Sequence, residues 1–203
     1  MQSEQDTPKL RMIALMREIL QDDYSEWTVR MYSLTESLET ESPCRITARL
    51  MRTNGSELLV EGEGVGSIDA LFNGLKQRLG DDYPSLKSIR FSQFSINALV
   101  SGSGSGSDSV AEATVGILNS EDQEFIFTAK ATSISRAGVE ATIAAAEYFV
   151  NSEQTFVRLH EILEHYRETG RTDLVDKYTE IMSRVVANTS YSEVVENIKG
   201  KMS

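Results

Sequence analysis

The segment CRITARLMRTNGSELLVEGEGVGSIDALFNGLKQRL, residues 44–79, contains a complete strand–strand–helix pattern. Ile46, Ala48 and Leu50 alternate with polar residues, which predicts a half-buried strand. Asn54-Gly55 follows directly and is a strong signal for a β-hairpin. SELLVEGEG then returns as the partner strand, and a Gly-rich turn leads into a helix. Apolar residues recur at helical spacing in that last part: Ile68, Leu71, Phe72, Leu75 and Leu79.

The second half of the chain repeats this order with different residues. VAEATVGIL (110–118) alternates, NSEDQ is a polar turn, and EFIFTAKA (124–131) returns as a second strand. RAGVEATIAAAEYFV (136–150) then has the pattern of a helix with alanines on a close-packing face. One more candidate strand precedes each unit, TVRMYSLTES before the first and SIRFSQFSINALV before the second. The predicted fold class is therefore α+β, with two strand–strand–strand–helix (βββα) copies packed together.

The run SGSGSGSDS, residues 101–109, has the composition of a flexible linker. It lies between the first and second strands of the second copy, so a domain boundary there would split a three-stranded unit. Such a unit with one helix buries too little to be stable alone. We therefore predict a loop within one duplicated domain.

The two flanks of the duplicated region are predicted to be helical. Thr7-Pro8 is typical of a helix start, and that helix should end near Gln21. Apolar stripes follow Val150 as well, and Ser190 with Glu193 forms a capping box for a short last helix. The predicted divisions are an N-terminal helix at 1–25, the duplicated domain at 26–151 and a helical extension at 152–203. A partner subunit would cover the helical stripes, which favours a homodimer.

Charge and composition limit the partners of this chain. The formal net charge is −11, from 31 acidic and 20 basic residues, so a phosphate backbone would be repelled and nucleic acid is not an expected partner. No apolar run reaches the length of a membrane span, and the first residues do not resemble a signal peptide. Cys44 is the single cysteine, which excludes an internal disulfide and favours a reducing, cytoplasmic setting.

Residues that carry enzymatic chemistry are scarce. His160 and His165 are five positions apart on a helix and lie on different faces, so they are not expected to share a metal ion. Cys44 has no histidine near it in sequence and is expected to be a small packing residue. Phosphate-binding, nucleophile-elbow and zinc-protease motifs do not occur. We predict no catalytic site, no metal and no cofactor.

Two helix starts remain as candidate sites. The glycines of GEGVGSIDA, residues 62–70, allow close approach of the backbone, and the following helix N-terminus favours an anion. Asp69 in that first turn would either cap the helix or meet an ammonium group. The equivalent turn is ATSISRAG, residues 131–138, where Ser133 and Ser135 are candidate caps. Each turn is explained by a tight, capped connection; alternatively, the two together could hold a zwitterion such as an amino acid.

GVGSIDALFNGL (64–75) resembles the Gly-rich helix start of the regulatory, dimer-forming domain of α-isopropylmalate and citramalate synthases. FIFTAKATSISRAGVEATIAAAEYFVN (125–151) is similar to the closing strand and helix of that domain, and the order of elements agrees. The resemblance covers roughly residues 27–151. It implies an allosteric domain that binds the end product of its pathway, leucine or isoleucine, here as a stand-alone protein without the catalytic barrel.

The resemblance also implies which residues face the ligand. The first turn would contribute Gly64, Gly66, Ser67, Ile68 and Asp69, and the second Ser133, Ile134 and Ser135. The loop before the second strand of copy two would add Ser107 and Asp108, next to Gly106. Ile68 departs from the family, which has an aromatic residue before the aspartate.

A second interpretation remains open. The duplicated domain could be a homodimeric interaction or scaffold module without a small-molecule ligand, whose flanking helices dock a partner, for example an enzyme.

Overall fold

The computed structural model describes residues 6–37, 42–99 and 110–186. Within these ranges two three-stranded antiparallel sheets are each followed by helices, in the strand orders β1-β2-β3 and β4-β5-β6. The first copy comprises β1 (Trp27–Thr35), β2 (Cys44–Arg52), β3 (Glu57–Gly64), α2 (Ser67–Leu79) and the short helix α3 (Ser85–Ser88). The second comprises β4 (Arg90–Leu99), β5 (Val110–Leu118), β6 (Glu124–Ala131) and α4 (Ile134–Glu168). Helix α1 (Asp6–Leu20) precedes them, and α5 (Thr172–Val186) follows.

The duplication predicted from the sequence is confirmed in its details. Glu57 and Glu124 begin the third strand of each copy, and Ser67 and Ile134 begin the following helix, so both pairs are 67 residues apart. The first strand of each copy has a register shift at the same place, between Val29 and Met31 and between Phe91 and Gln93. The α+β fold class with two βββα copies is therefore correct.

The hairpins form where the turn residues predicted them. Gly55 has φ +79°, and the Asn54 side chain accepts a hydrogen bond from the Ser56 N–H at 3.0 Å. In the second copy, Asn119 Oδ1 accepts from the N–H groups of Glu121 and Gln123 at 3.0 and 2.9 Å. SGSGSGSDS lies between β4 and β5 as expected, but its residues are outside the described ranges, as is the last helix predicted from Ser190.

The two copies share one core. Helix α2 packs on β2 and β3, α4 packs on β5 and β6, and α2 also contacts α4. Helix α1 packs on α4 and buries Met12, Met16 and Leu20. At its N-terminal end, the Lys9 ammonium donates a hydrogen bond to the Ile126 carbonyl at 2.6 Å. An aromatic cluster joins β6 to α4 through Phe125, Phe127, Tyr148 and Phe149.

Helix α4 is one continuous helix of 35 residues. The boundary predicted between the duplicated domain and the extension, at residues 151/152, lies inside it. The polar run there looks like a surface segment in the sequence, yet Asn151, Ser152 and Thr155 are buried. The Thr155 hydroxyl donates to the Asn151 carbonyl at 2.7 Å, so burial of this polar group is compensated within the helix.

Close packing between β3 and α2 fixes where α2 begins. A Cβ on Gly62 would lie 2.0 Å from the Ala70 carbonyl oxygen, and one on Gly74 would lie 2.7 Å from the Glu61 carbonyl oxygen. These are backbone atoms, so a side chain at either position requires the strand and the helix to separate. Gly66, the N-cap of α2, has extended geometry, and nothing lies within 4 Å of a Cβ placed there.

The same substitution at Gly62 and at Gly66 should therefore have different effects. We expect Gly62→Ser to lower the free energy of unfolding by about 1–3 kcal/mol or more, because overpacking forces the backbone to shift. Gly66→Ser should change it by less than about 0.5 kcal/mol or raise it slightly, since serine is a favourable N-cap. Urea unfolding of both variants measures the difference, and equal effects would contradict the role given to Gly62.

A second set of contacts holds the segment between α1 and β1. The Trp27 N–H donates to the Glu147 carboxylate, and the Asn151 side chain exchanges two hydrogen bonds of 2.7 Å with the Ser25 backbone. Burial raises the pKa of Glu147 from its ordinary value of 4.5 to about 7, and the nearby Glu26 carboxylate adds to this. The hydrogen bond from Trp27 and the charge of Arg17 oppose the shift.

Glu147 should make the stability of the fold depend on pH. Between about pH 4.5 and 7 the folded protein retains a proton that the unfolded chain has released, so the free energy of unfolding falls as pH rises. The decrease should be no more than about 3.4 kcal/mol and should be complete near pH 8, about one unit above the folded-state pKa of Glu147. In Glu147→Gln this part of the pH dependence should disappear, as measured by urea unfolding at pH 5, 6, 7 and 8. Glu168→Gln, at the exposed end of α4, is the control, and an unchanged slope in Glu147→Gln would refute the assignment.

Candidate functional site

The first predicted site is the start of α2. Gly66 forms the N-cap without a side-chain hydrogen bond, so the N–H groups of the first turn are not capped by a side chain. Asp69 reaches back from that turn, and its Oδ2 accepts from the Val65 N–H at 3.0 Å. This bond goes to the residue before the N-cap rather than to a first-turn N–H, and it holds the carboxylate beside the helix N-terminus.

The second predicted site is the start of α4. Ser133 is the N-cap, and its hydroxyl accepts from the Arg136 N–H at 3.5 Å. Ser133, Ile134 and Ser135 are all exposed. Arg136 in the first turn pairs with Glu140 one turn later, with 2.7 Å between Nε and Oε1. The predicted serine cap therefore forms at Ser133, and this helix start carries a basic residue where α2 carries Asp69.

The two helix starts are adjacent in the folded chain. Ile68, in the first turn of α2, is 8% exposed, and its Cδ1 lies 2.7 Å from the position a Cβ on Gly138 would take. A ring carbon of Phe94 lies 3.5 Å from the same position. Gly138 thus lets Ile68 pack directly on the backbone of α4, which keeps the first turns of both helices at one end of the domain.

Several apolar side chains at this end are not covered. Val65 is 95% exposed and Ile134 is 54% exposed, although each belongs to a turn that leads into one of the helices. Phe94, beside Gly138, is 44% exposed. Isolated exposed apolar residues are ordinary, but a group of them beside two helix starts is typical of a binding surface.

The predicted site residues divide into three groups. Gly64, Gly66, Ser67, Ile68 and Asp69 lie at the end of β3 and the start of α2. Gly64 is also needed for packing, because a Cβ there would lie 2.5 Å from the Ala70 nitrogen. Ser133, Ile134 and Ser135 lie at the neighbouring start of α4, whereas Ser107 and Asp108, with Gly106, are outside the described residues.

Two residues at this end were not identified from the sequence, Gly138 and Phe94. Gly138 lies in the turn segment 131–138, where its contact with Ile68 requires knowledge of how the copies pack. Phe94 alternates with polar neighbours in β4. This alternation does not reveal that the Phe94 ring packs beside Gly138 of α4.

Other candidate chemistry remains modest within residues 6–37, 42–99 and 110–186. Cys44 is 1% exposed, and burial raises the pKa of its thiol, in agreement with a packing role. No group of three or more His, Cys, Asp or Glu side chains in these ranges could hold a metal ion. None of the helices in the described ranges has the length and apolar character needed to span a membrane.

Comparison with known families agrees with the arrangement of these elements. The sequence model of the LeuA allosteric (dimerisation) domain matches residues 8–150. The match covers well over half of the chain, so the chain belongs to the LeuA allosteric (dimerisation) domain family. Among curated proteins, none matches the chain.

Proposed function

We propose that this regulatory domain binds a small amino-acid effector, a branched-chain amino acid such as leucine or isoleucine, between the starts of α2 and α4. The observation that carries the proposal is the contact of Ile68 with α4 at Gly138, since it brings two helix N-termini to one place. Helix N-termini attract carboxylates through their free N–H groups and the helix dipole. We further propose that the domain acts in the cytoplasm and has no catalytic activity of its own.

The two helix starts suit different parts of a zwitterion. The first turn of α2 has no side-chain cap, so its N–H groups can bind the carboxylate. Asp69 is held beside that turn by the Val65 N–H and provides a negative charge for the ammonium group. Ser133, Ile134 and Ser135 would close the site from α4, with Ser107 and Asp108 approaching from the loop before β5.

The apolar residues at this end suit a branched aliphatic side chain. Val65, Ile134 and Phe94 leave apolar surface exposed around the helix starts, and a buried methyl or methylene group contributes about 0.8 kcal/mol. The aliphatic Ile68, at the position where the resemblance implies an aromatic residue, would change the size of the pocket. We therefore expect discrimination among leucine, isoleucine and valine rather than equal binding.

The test is calorimetric titration of the chain with leucine, isoleucine and valine. We expect saturable binding of at least one of them, and an affinity reduced at least tenfold in Asp69→Asn. Asparagine keeps an oxygen for the Val65 N–H but loses the charge that faces the ammonium group. Asp176→Asn, on the exposed side of α5, is the matched control and should bind as the unmodified chain does. If none of the three amino acids gives heat or a thermal shift at millimolar concentration, the proposal fails.

A second candidate function is a homodimeric interaction module without a small-molecule ligand. It is favoured by the 95% exposure of Val65, a large apolar side chain at the surface of a chain from a dimerisation family. In this case the exposed apolar group at the helix starts is covered by a second copy, and the helical flanks are left for a partner such as an enzyme.

Self-association should depend on the exposed apolar residues at the helix starts. We expect the chain to be a dimer in sedimentation equilibrium, and Val65→Lys with Ile134→Lys to raise the dimer dissociation constant at least tenfold, because two ammonium groups would be buried. Leu59→Lys, at a position 48% exposed on the first sheet, is the control for surface charge. A stable dimer in the double variant would place the interface elsewhere, and leucine binding by the dimer would exclude the ligand-free alternative.

A further inference from the structure

A cleft of about 940 Å³ lies at the other end of the first copy, away from the helix starts. Its walls are the segment after α1, the β2–β3 hairpin, the segment between α2 and α3, and one face of α4. Strand β3 begins at this hairpin and ends at the start of α2, and α2 then runs back, so its C-terminal end is here. The cleft is therefore separate from the proposed effector site.

Polar side chains of α4 fix two of the walls in position. Asn151 holds the Ser25 backbone with two hydrogen bonds of 2.7 Å. The Gln154 amide donates to the Tyr83 hydroxyl at 2.9 Å, and Glu153 accepts from the Ser85 N–H at 2.9 Å. These contacts come from a part of α4 that lies just beyond the residues matched by the family, so they are supplied by this chain's own extension. The cleft is pre-formed by them.

The lining of the cleft has an excess of negative charge. It contains two guanidinium groups, and one of them, on Arg158, pairs with Glu161 at 3.1 Å. The carboxylates of the lining outnumber them three to one, and one of these carboxylates, on Asp81, is paired with the Lys87 ammonium at 2.7 Å. A concave surface of one sign concentrates the field within it and attracts ligands of the opposite sign. The carboxylates belong to Asp22, Asp23, Asp81, Asp82, Glu153 and Glu161.

The cleft also presents aromatic and aliphatic surface. Tyr83 contributes a half-buried ring, and Val157 is 38% exposed. Trp27 is only 7% exposed, and the Tyr24 ring carries the Arg17 guanidinium 4.2 Å from its centroid. Ring faces attract ammonium groups, and aliphatic surface accommodates methylene chains.

We propose that this cleft binds a linear aliphatic polyamine, with ammonium groups at the carboxylates and methylene segments against the aromatic and aliphatic surface. The volume lies within the range of small-molecule pockets, about 300–1,000 Å³, and has room for an extended chain. The proposal does not depend on the effector site, since no residue is shared between them. It gives the chain a second input, a cation, at the junction of the family domain with its helical extension.

The experiment is calorimetric titration with spermidine at physiological ionic strength. We expect saturable binding with one site per chain, and at least tenfold weaker binding in the double variant Asp22→Asn with Asp82→Asn. Asp176→Asn with Glu168→Gln removes the same charge from exposed positions of the helical extension and should leave binding within twofold. Val157→Trp fills the cleft without changing its charge and should also weaken binding at least tenfold. Circular dichroism confirms that each variant is folded.

Several results would overturn the proposal. Equal weakening in the cleft and control double variants would mean that spermidine responds only to the net charge of −11. Unchanged binding in Val157→Trp would place the ligand outside the cleft, and the absence of heat at millimolar spermidine would exclude the site altogether. Titration of the same variants with leucine separates the two proposals, because the cleft variants should retain the effector site and Asp69→Asn should retain spermidine binding.

Discussion

The close approach of β3 to α2 is the constraint on which the rest of the structure depends. The missing Cβ atoms at Gly62 and Gly74 let the strand and the helix touch through backbone atoms. That contact fixes the start of α2, which places Ile68 against Gly138 and so joins the first copy to the second. The position of both helix starts, and therefore the candidate site, follows from residues that have no side chain.

The fold was accessible from the sequence because its signals are local. Alternation predicts β2 and β5, Asn54-Gly55 predicts the first hairpin, and the repeated order of elements reveals the duplication. The contacts that build the sites are not local. Ile68 and Gly138 are 70 positions apart, and no local sequence pattern in either segment predicts that they are in contact. The helix starts could be named as candidates from the sequence, but their adjacency required the structure.

Helix α4 shows a second limit of predicting structure from hydrophobic periodicity. The polar residues directly after Val150 look like a surface segment, because hydrophobic periodicity assigns polar side chains to the surface. In the structure Asn151, Glu153 and Thr155 are buried and hydrogen-bonded to backbone groups. Asn151 holds the segment before β1, Glu153 holds the start of α3, and Thr155 bonds back to the carbonyl of Asn151 in the same helix. The cleft next to them could not have been predicted for the same reason.

The two copies are equivalent in order but not in chemistry, and this bears on how a ligand would be oriented. In β6, Ala129 and Ala131 occupy the positions that Gly62 and Gly64 have in β3, 67 residues earlier. Strand β6 and helix α4 therefore need not approach each other as closely as β3 and α2 do. The N-cap of α4 is already satisfied by a serine hydroxyl, whereas that of α2 is a glycine without one. Asp69 corresponds to Arg136, which is neutralised by Glu140. In the proposed effector site, the turn without a side-chain cap and the fixed carboxylate are both on α2. If the chain binds a zwitterion as we propose, this asymmetry favours a single orientation, with the charged groups at the first copy and the side chain towards the second.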